Sequence, residues 1–409
     1  MTIQERKWNQ NGTHRVPYWV YTDQDIYARE MKQVFARSWN YVGLEAEIPN
    51  AGDFKRSHAG ATSVIVVRGR DGEINVLKNQ CAHRGLEVCR QDYGSARVFQ
   101  CPYHQWTYRL DGDLSGVPFI KGVGGHGGMP DDFDRKDHGL QKLKVVSRHG
   151  AIFATEAEDI EALEDYLGPK MLKLFDRVFT GKPLRIVGVS RQRIPANWKL
   201  MFENIKDPYH ASLLHVFLVT FGLFRADNPS RTEMDKTGRH SALISQRSAN
   251  PLAPNAATQE MASFKEKLEL RDKRLLDIVK EFPDPATVVM QTIWPNLIVQ
   301  QQANTLATRQ IVPAGPDAFD LNWTFFGYAD DDEAMCARRL RHANLMGPAG
   351  FVSLDDSEVM DLAQRGIHVD PERAAVVEMG GRGTEDHDHI VTETAIRAFY
   401  GYYREVMGL

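Results

Sequence analysis

Two short segments of the chain each carry one cysteine and one histidine at a spacing that suits a metal. Cys81 and His83 form the first pair, and Cys101 and His104 form the second after seventeen intervening residues. The four side chains could hold a structural zinc ion or an iron–sulfur cluster. A zinc finger keeps its cysteines together and its histidines together, whereas here each segment supplies one of each. This order favours a [2Fe–2S] cluster with two cysteines on one iron and two histidines on the other, and zinc is the alternative.

The residues around these pairs strengthen the cluster interpretation. With Gly85 after the first pair and Pro102 and Tyr103 inside the second, this part of the chain resembles the Rieske family. The resemblance implies that all four side chains bind a Rieske [2Fe–2S] cluster. The two remaining cysteines, Cys89 and Cys336, have no such spacing and are predicted to be ordinary buried thiols.

A second group of possible ligands consists of Asp207, His210 and His215, which fall within nine residues. Pro208 is well placed in the first turn of a helix, so we expect a helix to begin here with Asp207 as its N-cap. In an ideal helix the two histidines would lie about 140° apart, so joint metal binding requires a local distortion. On spacing alone, the alternative is that Asp207 caps a helix and the two imidazoles are hydrogen-bonded structural groups.

The presence of a Rieske module upstream favours the metal interpretation. Together with that module, residues 197–215 resemble the Rieske non-haem iron oxygenases, and the resemblance spans almost the whole chain. In that family two histidines and one carboxylate hold a mononuclear Fe(II) and leave positions open for O2. The resemblance implies His210, His215 and, far downstream, Asp356 as the ligands. Asp355 is the less favoured carboxylate, with a helix N-cap as its structural alternative.

The same resemblance implies a different task for Asp207. In the family the equivalent carboxylate links a Rieske histidine of one subunit to an iron histidine of its neighbour. We therefore expect His104 of one chain to approach Asp207 and His210 of the next, so that the oligomer takes part in the mechanism. Asn204, one turn before Asp207, is a candidate for the surroundings of the iron, and a structural amide is its alternative.

The substrate class also follows from resemblance. The chain is similar to ring-hydroxylating α subunits that act on substituted benzoates, and most similar to the salicylate 5-hydroxylases over residues 41–49, 204–210 and 386–394. This implies oxidation of salicylate to gentisate, with anthranilate, 2-halobenzoate or another benzoate as the alternative. Arg309 is a candidate for binding the substrate carboxylate, and a salt bridge at the sheet edge is its alternative. Strand alternation places Arg309 opposite Asn304 without telling which face lines a pocket.

These implications describe a terminal oxygenase that works with partners. Electrons would come from NADH on a separate reductase and pass through a ferredoxin to the Rieske centre and then to Fe(II), where O2 reacts with the aromatic carboxylate. The family resemblance also implies a homotrimer, or an α3β3 hexamer with a small β subunit. The competing hypothesis is a Rieske electron-transfer protein without oxygenase activity, which would have no use for His210, His215 and Asp356.

The elements that position these residues indicate an α+β fold class. Residues 39–156 contain short β-type runs separated by turns, which predicts an all-β Rieske domain. Residues 1–38 predict a helical segment that packs with the catalytic domain. Residues 157–409 mix strands and helices without βαβ alternation, which predicts a catalytic iron domain with an antiparallel sheet, and the resemblance implies a helix-grip (START-like) arrangement. We also expect an amphipathic helix over residues 262–282 and a long polar loop that can act as a lid over residues 227–259.

Composition excludes several other classes. A net charge of −4 without a long basic block argues against nucleic-acid binding. No apolar run has the roughly 18–20 residues of a membrane helix. Only four cysteines occur in 409 residues, and no secretory leader is recognisable before the first of them, so we expect no membrane association and a cytoplasmic location.

Overall fold

A computed structural model of the chain describes residues 7–8, 12–248 and 268–409. The chain divides into two compact units: a β unit, Phe35–Ile160, and an α+β unit that joins the residues up to Val34 with Glu161–Leu409. The N-terminal part of the α+β unit contains β1 (Arg15–Pro17), α1 (Trp19–Thr22) and α2 (Gln24–Glu30), and a π-helical turn, Met31–Phe35, follows α2. Asp23 begins α2 because its side chain accepts hydrogen bonds from two backbone N–H groups of the first turn.

The β unit consists of short antiparallel strands in three sheets, with strand orders β5-β4-β3-β6, β10-β11-β2 and β7-β8-β9. Valine and isoleucine fill the centre of β4, where Val64, Ile65 and Val67 are fully buried, as β-branched side chains in a sheet core should be. The strands are β2 (Asn40–Leu44), β3 (Asp53–Ala59), β4 (Thr62–Arg68), β5 (Ile74–Lys78), β6 (Tyr93–Ser95), β7 (Phe99–Gln100), β8 (Thr107–Tyr108), β9 (Leu114–Gly116), β10 (Lys144–Arg148) and β11 (Ala151–Thr155).

The α+β unit is built on a seven-stranded antiparallel sheet with the order β12-β18-β17-β16-β15-β14-β13. A separate pair joins β1 to β19. The elements are α3 (Leu163–Val178), β12 (Leu184–Ile194), α4 (Trp198–Lys206), α5 (Pro208–Leu214), α6 (Val216–Thr220), β13 (Ser230–Met234), β14 (Ser241–Ser245), β15 (Val288–Ile293), β16 (Leu297–Gln302), β17 (Thr305–Pro313), β18 (Phe319–Tyr328), α7 (Glu333–Met346), α8 (Ser353–Val369), β19 (Ala374–Val376) and α9 (Thr394–Met407).

The central strands β15, β16 and β17 are buried along their whole length, because helices cover the sheet. Helix α4 contacts β15 and β17, and α7 contacts β17 and β18. Polar residues in these strands must therefore find partners within the protein. Asn304, a buried polar residue of the turn before β17, likewise bonds to the backbone of Val279. The α+β class with an antiparallel sheet is thus confirmed.

Two expectations about local structure are wrong in the part that the structure describes. Residues 230–245 form the hairpin β13–β14 rather than a loop, while residues 249–259 of the predicted lid lie outside the described residues. The hairpin forms because Thr232 and Met234 of β13 alternate into the core, every residue of β14 is buried, and Gly238 takes the positive φ of +80° that its turn requires.

The predicted helix over residues 262–282 is also wrong. Its first six residues, 262–267, lie outside the described residues, and the remainder contains only a short 3-10 turn, Lys273–Leu276. The side chain of Asp272 accepts the N–H of Arg274 and so starts a new turn at the point where a continuous helix would need Asp272 inside it. Conversely, helix α8 was not predicted, although it carries Asp355 and Asp356.

No helix within the described ranges is long and apolar enough to cross a membrane.

Candidate metal centres

The first candidate site begins at the junction of α4 and α5. Asp207 ends α4 and caps α5, and its Oδ1 accepts the backbone N–H of Tyr209 at 2.9 Å and of His210 at 3.2 Å. Pro208 follows in the first helical position. The helix cap predicted from the sequence is confirmed, and it fixes the position of His210 in the first turn of α5.

A break in the helix brings the second histidine beside the first. His215 has φ −84° and ψ 70°, so it separates α5 from α6 instead of continuing one helix. This is the distortion that the spacing of His210 and His215 requires. As a result the planes of the two imidazole rings make an angle of 75°, and the ring centroids lie 5.3 Å apart.

Asp356, in the first turn of α8, completes this group. Its Oδ1 lies 3.5 Å from Nε2 of His210 and 3.2 Å from Nε2 of His215. One ligand atom from each of the three side chains falls within 4.8 Å of the others, and among the described residues no other set of three His, Cys, Asp or Glu side chains does so. Two imidazoles and one carboxylate meeting at a point are the donor set of a facial non-haem iron site.

The outer nitrogen of each imidazole faces a further carboxylate. Nδ1 of His210 lies 3.6 Å from Asp207, and Nδ1 of His215 lies 3.3 Å from Asp355. Such carboxylates orient an imidazole and increase its basicity as a ligand. Asp355 is therefore not the helix cap that the sequence offered as an alternative, since α8 begins after Val352 and Asp355 lies inside its first turn.

The charges in this group favour a bound cation. Burial alone would raise the pKa of Asp356, but hydrogen bonds from His210 and His215 hold it well below its usual range. Burial would lower the pKa of His210, yet hydrogen bonds to Asp207 and Asp356 raise it to about 10. The carboxylates thus stabilise positive charge at the imidazoles, and a metal cation in the same place satisfies the same demand.

Asn204 lies against this group, as expected. Its Nδ2 donates to Oδ1 of Asp356 at 3.1 Å and lies 3.4 Å from Nε2 of His210. Its Oδ1 is buried and has no partner within the described residues. The amide therefore belongs to the immediate surroundings of the site.

A cavity of about 50 Å³ opens beside the triad. One face of the sheet, which carries Leu243, Met290 and Arg309, forms part of its wall. The face of β17 that lines a pocket is therefore the face of Arg309. An engineered cavity of about 150 Å³ holds benzene, so an aromatic ligand can enter only if flexible lining side chains such as Met290 move.

Arg309 is a buried cation without a carboxylate partner in the part of the chain that the structure describes. Its Nε and Nη2 donate to Oε1 of Gln300, its guanidinium stacks on Trp323 at 4.0 Å, and its Nη1 is buried with no hydrogen-bond partner there. Burial lowers its pKa to about 10. The salt bridge at the sheet edge is therefore wrong, and the free donor can serve an anion in the cavity.

The second candidate site lies in the β unit, where Cys81 and Cys101 begin two loops with the same hydrogen bonds. In each loop the residue four positions on, Gly85 or Gln105, donates its N–H to the cysteine carbonyl at 2.8 or 3.0 Å. Both residues have positive φ, of 74° and 58°. In each loop the cysteine N–H also bonds, at 2.8 Å, to the carbonyl of the fifth residue on. The two loops thus present their ligands in the same way.

The four side chains sort into a sulfur pair and an imidazole pair. The Cys101 thiol, whose pKa burial raises, lies within hydrogen-bonding reach of Cys81, and the rings of His83 and His104 lie 4.5 Å apart. His83 stacks on Trp106 at 4.8 Å, and its Nδ1 is buried without a partner among the described residues.

This pairing distinguishes the two possible metals. Ligands of one tetrahedral zinc ion would all meet within a few ångströms, whereas the side chains here group as a Cys81–Cys101 pair and a His83–His104 pair. A two-iron cluster, with sulfur ligands on one iron and imidazoles on the other, fits the arrangement.

Comparison with known proteins agrees with both sites. Residues 177–409 match the family of the ring hydroxylating alpha subunit (catalytic domain), and residues 38–126 match the Rieske [2Fe-2S] domain. The chain belongs to the Rieske ring-hydroxylating oxygenases and is an α subunit of that family. Its cofactors are accordingly a Rieske [2Fe–2S] cluster and a mononuclear iron, as the sequence resemblance implied.

Individual relatives narrow the class. The chain is 53% identical to the large oxygenase component of salicylate 5-hydroxylase from Ralstonia sp., over 99% of this chain and 97% of that protein. It is 45% identical to the large subunit of anthranilate 1,2-dioxygenase from Burkholderia cepacia, over 96% of this chain and 93% of that protein. Among solved structures, naphthalene 1,2-dioxygenase from Rhodococcus sp. bound to indole matches with a TM-score of 0.80 and 25% identity, over 97% of each chain.

One residue that the sequence did not single out is Tyr108. Its hydroxyl lies 3.1 Å from Sγ of Cys81 and accepts the N–H of Ala82 at 3.1 Å. Hydrogen bonds to cluster sulfur raise the reduction potential because they stabilise the more negative, reduced state. The sequence gives one signal for this role, which is that Tyr108 lies in β8, the strand that follows Cys101 and His104.

We therefore expect Tyr108→Phe to lower the midpoint potential of the Rieske centre by about 60 mV, which corresponds to one lost hydrogen bond to a charged group in a one-electron couple. Redox titration followed by optical spectroscopy measures this shift. Tyr93→Phe is the control, because the Tyr93 hydroxyl bonds to Glu47. An unchanged potential in Tyr108→Phe would show that this hydroxyl does not act on the cluster.

Proposed function

We propose that this α subunit hydroxylates a substituted benzoate, and that its substrate is salicylate, converted to gentisate. The observation that carries the proposal is the buried Arg309 guanidinium, which lines the cavity beside His210, His215 and Asp356 and has no carboxylate partner within the described residues. A buried cation of this kind favours an anionic ligand. The 53% identity to the salicylate 5-hydroxylase component supports salicylate among the benzoates.

In this proposal each group of residues has one task. His210, His215 and Asp356 hold the mononuclear iron, and Cys81, His83, Cys101 and His104 hold the cluster. When bound, the two iron centres supply the electron transfer and the O2 activation that ring hydroxylation needs. Arg309 holds the substrate carboxylate, and Asn204 and the apolar wall confine the ring. Residues 39–156 then act as the electron-delivering domain, residues 157–409 as the catalytic domain, and residues 1–38 as a segment that packs with the latter.

In this proposal Asp207 connects the Rieske cluster, which delivers electrons, to the mononuclear iron. Its Oδ1 is engaged by the backbone of α5, while its Oδ2 faces Nδ1 of His210 at 3.6 Å. A carboxylate accepts from several donors at once, so Oδ2 can also receive the N–H of a second imidazole. We propose that this imidazole is His104 of a neighbouring subunit, in a homotrimer or, with a small β subunit, an α3β3 hexamer. A ferredoxin and an NADH-dependent reductase supply the electrons.

Identification of products tests the substrate. The complete system, reconstituted with ferredoxin and reductase, is incubated separately with salicylate, anthranilate and 2-chlorobenzoate. Gentisate from salicylate supports the proposal. Catechol from anthranilate or 2-chlorobenzoate, without turnover of salicylate, would instead favour the dioxygenase alternative that the 45% identity to an anthranilate dioxygenase supports.

Binding tests the role of Arg309. We expect Arg309→Met to weaken salicylate binding about 10- to 100-fold, because a charge-assisted hydrogen-bonded contact is lost. Anaerobic isothermal titration calorimetry measures the change in Kd. Phenol lacks the carboxylate and should bind both proteins equally, and Arg185→Met removes an exposed arginine of the same sheet as a control. Equal salicylate affinity in Arg309→Met and the unmodified protein would remove Arg309 from the proposal.

A further inference from the structure

A buried lysine ends the helix that precedes Asp207. Lys206 is the last residue of α4 and is only 2% exposed. Its Nζ donates to Oγ of Ser241 on β14 at 2.9 Å and to Oγ1 of Thr292 on β15 at 2.8 Å. The two hydroxyl oxygens also lie 2.8 Å apart and are hydrogen-bonded to each other. Lys206 therefore fastens the end of α4 to two strands of the sheet.

Burial of this lysine costs folding free energy. No carboxylate forms an ion pair with Lys206 in the part of the chain that the structure describes, and the rings of Phe202 and Phe399 lie 5.6 Å from its Nζ. Burial lowers the pKa of Lys206 to about 7. An apolar side chain of similar length would fill the same space without the cost of burying an ammonium group. Stability alone therefore does not account for a lysine at this position.

The strands that Lys206 contacts also form part of the cavity wall. Ser241 and Thr292 are paired across β14 and β15, and Leu243 and Met290 are paired two positions away, so all four side chains share one face of the sheet. Leu243 and Met290 line the cavity beside the metal triad, whereas Lys206 does not. Lys206 thus fixes the end of α4 against the strands behind the site without reaching the substrate.

The end of α4 carries the residues that meet the metal site. In its last turn, Asn204 donates to Asp356 at 3.1 Å. Directly after Lys206, Asp207 ends the helix, and its carboxylate caps α5 and faces a metal-binding imidazole. The backbone of Asp207 is not helical, with φ −101° and ψ 87°, and Pro208 has no N–H to hold the junction. A side-chain anchor one residue before Asp207 therefore limits how far its carboxylate can move.

We propose that Lys206 is a positioning residue for electron transfer: it holds Asp207 where the carboxylate can connect the Rieske cluster of a neighbouring subunit to the mononuclear iron. The inference rests on the proposed function, in which Asp207 has this connecting role. The electron that leaves the reduced cluster is the electron that the iron receives, so Lys206 itself is neither oxidised nor reduced. Lys206 acts only through the place that it gives to Asp207.

Lys206→Met keeps most of the length of the side chain and removes its donors. In a single turnover of the holoenzyme, with the cluster reduced beforehand and salicylate and O2 added, we expect cluster reoxidation to be about tenfold slower, the lower range for loss of a group that orients a metal ligand. Iron content, and salicylate affinity measured by anaerobic calorimetry, should be unchanged. Hydrogen–deuterium exchange should be faster in residues 204–215, where Asp207 caps α5.

Two further variants make the test specific. Thr292→Val removes an acceptor of Lys206 and should slow reoxidation in the same direction, and it tests the same contact if Lys206→Met does not fold. Met201→Ala is the control for general loss of stability, because Met201 is a buried residue of α4 whose truncation leaves a cavity but no lost hydrogen bond to the sheet. It should reoxidise at the unmodified rate. Thermal unfolding measures the stability of each variant.

The outcomes separate this inference from the proposed function. If Asp207→Asn slows reoxidation but Lys206→Met does not, the role of Lys206 is overturned and the proposed function stands. Equal slowing in Lys206→Met and Met201→Ala, or loss of iron from Lys206→Met, overturns the positioning role as well. If neither Asp207→Asn nor Lys206→Met slows reoxidation, the connecting role of Asp207 is overturned, and the role of Lys206 with it.

Discussion

Asp356→Ala should reduce the iron content from about three atoms per chain to about two, because it removes the mononuclear iron and leaves the two irons of the Rieske cluster. The cause is geometric. Oδ1 of Asp356 lies within 3.5 Å of both histidine Nε2 atoms, and a pair of imidazoles without the carboxylate lacks the third donor and the negative charge. Product formation should fall to the level of protein from which the mononuclear iron has been removed.

Metal analysis combined with the visible spectrum of the cluster separates the two centres. The spectrum of Asp356→Ala should be unchanged, since the cluster lies in the β unit. Glu358→Gln is a suitable control because Glu358 is an exposed acid on the same helix, α8. Three irons per chain together with full activity in Asp356→Ala would show that Asp356 is not a ligand and would return Asp355 to consideration.

Asp207→Asn should lower the rate of ring hydroxylation by about 100-fold while both metal centres remain loaded, which is the upper range for loss of a group that orients a metal ligand. Asp207 both caps α5 and places a negative charge beside His210, and this substitution removes only the charge. Asparagine caps a helix about as well as aspartate, so the hydrogen bonds to the first turn of α5 are kept, but the negative charge beside Nδ1 of His210 is lost.

A single-turnover experiment measures the step directly. The Rieske centre is reduced, substrate and O2 are added, and the reoxidation of the cluster is followed optically. Slow reoxidation with normal iron content is expected in Asp207→Asn. Asp207→Ala should show the same defect and, in addition, lose about 1 kcal/mol of stability with the helix cap. Unimpaired reoxidation in both variants would contradict the connecting role of Asp207.

The sequence predicted the ligands better than the elements that carry them. His210 and His215 were assigned because a Rieske module lies upstream, and the need for a distortion between them followed from helix geometry, which the non-helical His215 satisfies. Helix α8 was missed because its apolar pattern is weak, so Asp356 could be assigned only by resemblance. Local propensity failed for residues 230–245, where pairing with β15 outweighs a polar, turn-rich composition.

Arg309 donates to Gln300, which donates to Gln302, and this hydrogen-bonded chain could not be predicted from the sequence for a different reason. Which residues face each other across β16 and β17 depends on the register of the hairpin, and a slip of one residue would turn Gln302 away from the cavity. Likewise, the face of β17 that lines a pocket depends on where α4 packs. Both are long-range properties that periodicity does not contain.

The solitary charge of Arg309 has a consequence for the resting protein. A buried cation that contacts only neutral Gln300 and the ring of Trp323 costs folding free energy for as long as no anion binds it. The substrate-free subunit therefore carries a built-in penalty that its own ligand relieves, so the melting temperature should rise with salicylate concentration. A substitution that neutralises Arg309 should therefore stabilise the substrate-free subunit and at the same time weaken substrate binding.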